Sequence, residues 1–187
     1  IGKDEEAKAC LNRILEADGA NTLGKTDDAK YRLASLSGKD NALTEIEKFI
    51  SENPNSDILN EAYVSVCEQY AYGKKDFGAA EKWFKEALSK FPDNDYVKSS
   101  YGQFVNYEAS TLADKKDATA EDYKQGLSFV ETALPYVAGS VNEASSYFIQ
   151  SKLYFNMKDY SKAMESVDKA LKIFNRKLYR DHKEKIE

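Results

Sequence analysis

Apolar residues recur at helical spacing through most of the chain, and no stretch alternates polar and apolar positions as a half-buried strand would. The clearest stripe runs from Asp76 to Pro92, where Ala80, Phe84, Ala87 and Leu88 fall at i, i+4, i+7 and i+8 on one helix face. Asp76 is placed to cap this helix, and Pro92 stands just past its end, where a helix cannot continue. The same pattern returns from Asp159 to Phe174, with Ala163, Val167, Ala170 and Leu171 in register. Alanines at two fixed points let a neighbouring backbone approach, and the large residue between them fills the remaining gap.

Taken in order, the chain begins with an amphipathic helix from Asp4 to Ala17 that carries Ala7, Leu11, Ile14 and Leu15 on one face. After a loop, Asp27 to Leu36 and Asn41 to Ile50 form a helical pair joined by Ser37, Gly38, Lys39 and Asp40, with Ala42, Ile46 and Phe49 in the packing positions and Pro54 following. Ser56 or Asp57 caps the next helix, which is expected to reach about Tyr72 before Gly73, Lys74 and Lys75 lead into the Asp76 helix. Asp95 opens a third pair. Its charged link, residues 110–120, predicts an extended helix end plus a loop, and its second helix, Glu121 to Val137, sets Gly126, Val130 and Ala133 in register. Val141 to Phe155 and Tyr160 onward make a fourth pair. No Gly or Pro follows Tyr160, so the last helix is expected to run on unbroken, with its tail from Arg176 as a solvating cap.

The pairing resembles the tetratricopeptide repeat, whose second helix carries A-x3-F and then P. Asp76-Phe77 and Asp159-Tyr160 match that family's Asp-aromatic turn, and Tyr101-Gly102 with Val105 reproduces its L-G-x-x-Y element in altered form. Pro54 to Pro92 spans 38 residues against a family period of about 34; the excess is about one helical turn, which lengthens the first helix of that pair. The resemblance implies an all-α, right-handed α-α superhelix of about four hairpins. Residues 1–26 form an extra N-terminal helix and loop, the array covers 27–187 (hairpins 27–54, 56–92, 95–138 and 141–175), and residues 176–187 form a capping helix.

Composition narrows the chemistry. No apolar run in the 187 residues approaches the roughly 20 that a spanning helix needs, and there is no signal-peptide core. A net charge of −5 argues against general nucleic-acid binding. The charge is uneven: Lys169 to Glu187 holds seven Lys/Arg against three Asp/Glu. Read as the end of one long helix, these cations favour its dipole. A chain starting at Ile1 is expected to be a processed or truncated piece, with any targeting signal upstream, which leaves the compartment open between cytoplasm and periplasm.

Cys10 and Cys67 form no C-x-x-C and each falls on the apolar side of a helix, which predicts small buried hydrophobes. His182 sits in a charged tail with no ligand cluster around it, which predicts a solvated ring and no metal or cofactor. Gly19 to Thr26 spells the phosphate-loop pattern G-x-x-x-x-G-K-T. That chemistry needs a strand before the loop and a parallel sheet around it, whereas the preceding residues are helical in period, so nucleotide binding is a minor alternative. No G-x-S-x-G, H-E-x-x-H or acid-base set points to an enzyme.

The family resemblance implies that the first helices of successive hairpins line a concave groove for protein or peptide partners. Its register puts Tyr31, Ser65, Gln69, Tyr72, Ser99, Gln103, Asn106, Tyr107, Phe148, Lys152 and Phe155 in that groove, a set rich in amides and aromatic rings. Amides pair with an extended backbone, and rings supply apolar area at little entropic cost. The Lys and Asn set with which some members clamp a C-terminal carboxylate is absent. A non-catalytic scaffold is the leading reading. In the alternative, the array is the helical half of a larger bacterial thiol-disulfide protein, because Ile1-Gly2 followed by DEEAKACLNRIL is similar to the closing edge of a thioredoxin-like domain.

Overall fold

A computed structural model describes residues 2–38 and 41–187, and among them it contains helices and no strand. The helices are α1 (Gly2–Ala17), α2 (Thr26–Ser35), α3 (Ala42–Glu52), α4 (Leu59–Glu68), α5 (Phe77–Lys90), α6 (Asp95–Ala113), α7 (Ala120–Val137), α8 (Val141–Asn156), α9 (Tyr160–Ile173) and α10 (Lys177–Ile186). Each hairpin packs its two helices side by side, and the chain divides into two compact units, residues 1–97 and 98–187. Lys39 and Asp40 of the first predicted link, and Ile1 of the thioredoxin-like edge, lie outside the described residues.

In the first unit α1 packs on α2, α2 on α3, α3 on α4 and α4 on α5. The core gathers Ile46, Phe49 and Ile50 of α3, Leu59, Ala62, Tyr63, Val64 and Val66 of α4, Ala87 of α5 and Val97. Helix α4 continues as a wide π-helical turn, Gln69–Lys74, and the two together only match α8 in length, so the first helix of the second pair is not lengthened relative to that of the fourth. Lys75 then turns left-handed at φ 56°, and the Asp76 carboxylate accepts the Ala79 N–H at 3.0 Å to start α5.

The second unit builds the same junction from the same letters. Lys158 is left-handed at φ 64°, and the Asp159 carboxylate accepts the Lys162 N–H at 3.2 Å. A short polar side chain at this position satisfies an N–H that the helix itself leaves open. Ala80, Ala87, Ala163 and Ala170 are all fully buried, as are Phe84 and Val167 between them. The Ser151 hydroxyl of α8 donates to the Ala163 carbonyl at 2.7 Å, so a neighbouring helix does reach the backbone at that alanine. Gly102 serves the same end on α6, since a Cβ there would stand 2.6 Å from Val137 Cγ1 and 2.9 Å from Tyr136 Cβ of α7.

Three expectations fail. The last helix is not continuous: α9 ends at Ile173, Phe174 is extended, and α10 starts at Lys177. The bend lets Tyr179 bury itself with Ala144, Val167 and Ala170, and that packing outweighs a local sequence free of helix breakers. In consequence Arg176, Lys177 and Arg180 stand at the N-terminal end of a separate helix, where the dipole opposes cations. Cys10 is exposed, on a helix that has no buried residue among those described; Cys67 is buried.

Candidate protein-binding faces

Of the expected groove residues in the first unit, Tyr31 of α2 packs its ring 5.8 Å from Phe49 and also lines a cavity of about 560 Å³. Ala7, Cys10 and Leu11 of α1, Arg32 and Ser35 of α2, Leu36 just after it, and Glu61 of α4 complete its wall. The lining is mainly apolar, and its one cation, Arg32, and one anion, Glu61, form no ion pair among the described residues. Ser65 and Gln69 follow Glu61 at four-residue steps and are half-buried, and Tyr72 is 43% exposed. Tyr31 and the α4 row are therefore joined through Glu61, which the register did not single out. Neither did it find Cys10, Leu11 or Arg32: their helix faces were visible, but not the fact that α1, α2 and Glu61 of α4 share one cavity wall.

In the second unit, Gln103 is exposed and donates to the half-buried Ser99 hydroxyl at 3.3 Å, while Tyr107 is half-buried on the same helix. Asn106 is a correction. It is only 5% exposed, its amide N–H donates to Ser146 Oγ at 2.7 Å, and that hydroxyl lies 3.0 Å from its own Oδ1, so the side chain staples α6 to α8 and offers nothing outward.

Phe148 and Phe155 are half-buried and already engaged within the fold. Phe148 stacks on Tyr179 with centroids 4.6 Å apart, and His182 sets its ring edgewise to both phenylalanines, at 5.3 and 5.5 Å. Helix α10 therefore lies over these rings. Lys152 is paired with Asp114 and reaches over the Phe148 ring.

His182 was expected in solvent. It is instead half-buried with Nε2 3.1 Å from Ser151 Oγ, and burial, reinforced by Lys152 and Lys185, holds its pKa below the usual imidazole value. The spacing of Tyr179, His182 and Ile186 along α10 carries the signal for this inward face.

The phosphate-loop letters have a different occupant. Asp18, 4% exposed, turns its carboxylate into the loop and accepts from Thr22 N at 2.7 Å, Thr22 Oγ1 at 2.8 Å and Leu23 N at 3.1 Å. Thr26 donates its hydroxyl to the Asp18 carbonyl, and its N–H goes to Asn21. The amides and hydroxyl that a phosphate and its metal would need are already engaged, and the loop lies between two helices. Among the described residues no group of three or more His, Cys, Asp or Glu side chains could hold a metal, and no helix is long and apolar enough to cross a membrane.

Residues 144–176, which span α8 and α9, match the family profile described as Tetratricopeptide repeat. That match includes Ala163, Val167 and Ala170 and the Asp159 turn, the features on which the resemblance was first noted. It does not touch residues 1–26, so the likeness of the N-terminal edge to a thioredoxin-like domain gains no support. No curated protein matches the chain.

Proposed function

We propose that the chain is a non-catalytic scaffold that binds a protein or peptide along the first helices of its hairpins. The observation that carries this reading is the tetratricopeptide match at α8 and α9, together with an identical Lys-Asp-aromatic junction at α4 and α5. In the first unit the ligand face is the Tyr31 cavity continued by Ser65, Gln69 and Tyr72. An apolar side chain of an extended segment fills the cavity, while Arg32 and Glu61 at its rim select the charges that flank it. In the second unit the face is formed by Ser99, Gln103 and Tyr107 of α6, and Phe148 and Phe155 belong to the α10 contact.

A random-peptide library displayed on phage and selected on the intact chain tests this. Selected peptides are expected to lose about tenfold or more in affinity with Tyr31→Ala, as a ring that anchors an interface does, and less with Gln103→Ala. Peptides that bind these variants and the parent chain equally would refute the proposed face.

A further inference from the structure

The last turn of α9 and the first turn of α10 meet in a corner that the proposed binding faces do not use. From Lys172 to Arg180 there are four cations and no carboxylate, in a chain whose net charge is −5. Among the described residues Lys172, Arg176 and Lys177 make no ion pair. The Arg176 guanidinium lies over the rings of Phe174, at 5.5 Å, and Tyr179, at 5.9 Å, and Arg180 reaches only the neutral amide of Asn175. Between these cations three large apolar side chains face outward: Ile173 at 40% exposure, Phe174 at 43% and Leu178 at 57%.

The placing of the charges is locally unfavourable. Arg176, Lys177 and Arg180 surround the start of α10, whose N-cap supplies no side-chain acceptor and whose first turn holds no acid. Carboxylates, not cations, stabilise that end of a helix. An anion arriving there relieves both the mutual repulsion of the cations and the open N–H groups.

We propose that this corner docks an acidic protein segment that carries a large apolar residue, with its carboxylates on Arg176, Lys177 and Arg180 and its apolar side chain against Phe174 and Leu178. The two arginines offer planar forks that take carboxylates in pairs. A bilayer suits the corner less well: Asp181 and Glu184, exposed on the next turn of α10, would be carried against an anionic surface, whereas a narrow segment meets the cationic turn alone. The inference shares no residue with the faces on α2, α4 and α6 and does not depend on them.

Fluorescence anisotropy on the intact chain tests it, using a labelled peptide Glu-Glu-Asp-Phe-Glu-Asp-Leu-Glu, a copy with Phe and Leu replaced by Ala, and vesicles of phosphatidylcholine with phosphatidylserine. The first peptide is expected to bind, more weakly as salt rises, and the alanine copy to bind less well. Lys177→Glu combined with Arg180→Glu should weaken binding by about tenfold or more, without lowering the melting temperature, because acids now face the helix dipole. Leu178→Ala, at a side chain that contributes little to the fold, should weaken it by about threefold or more. Absence of peptide binding, equal binding by these variants, or binding to the vesicles alone would overturn the proposal.

Discussion

His182 shows how a side chain with an ordinary address in the sequence acquires a structural role. Its ring is held between Phe148 and Phe155 and meets the Ser151 hydroxyl, and its pKa is depressed in the folded chain. A depressed folded value means that the unfolded chain binds the proton more readily. The contribution is complete above the unfolded value of about 6.5 and is lost as pH falls toward the folded one. The urea midpoint is therefore expected to drop between neutral pH and about pH 5, and the drop should shrink in His182→Phe, which keeps the ring contacts without the charge. Asn106 gives a second test at this scale. Asn106→Ala removes the buried bonds to Ser146, whose hydroxyl keeps only its longer contact to the Asn142 carbonyl, an expected loss of about 1–3 kcal/mol in denaturant unfolding. A groove residue would lose binding and keep its stability.

At the scale of elements, the stripes of α5 and α9 and the caps at Asp76 and Asp159 were legible because each depends on residues within about one or two turns of one another. Ala80, Phe84 and Ala87 have only to share a face, and an Asp before an aromatic residue has only to reach an N–H three residues on. What was not legible depends on distant partners. Phe148 and Phe155 fit either a groove or a helix contact, and only the bend at Phe174 brings α10 onto them. The break between α9 and α10 has no local cause in Gly or Pro, and Cys10 is exposed because the described residues of α1 include none that the fold buries. The close approach at Gly102 can be tested against Gly126. Gly102→Ala would push into Val137 and Tyr136 near their backbones, with an expected loss of about 1–3 kcal/mol. A Cβ at Gly126 first meets the terminal methyls of the buried Leu153, a side chain and not a backbone, so the shift it demands is smaller. Its helix-propensity gain, about 1 kcal/mol, should offset the strain, and urea unfolding of the two variants should separate them.

For the whole molecule, both helices of a hairpin bury small residues, Ala62 and Ala144 on first helices as well as Ala80 and Ala163 on second ones. The proposed function therefore needs the remaining side chains of the first helices to meet the partner. Backbone amide chemical shifts of the intact chain, followed while a phage-selected peptide is added, test it most directly. The account predicts the largest changes on the first helices, at Tyr31, Glu61, Ser65 and Gln69, with little change along α3 and α5. Changes centred on α3 and α5, with Tyr31 and Gln69 unmoved, would contradict it.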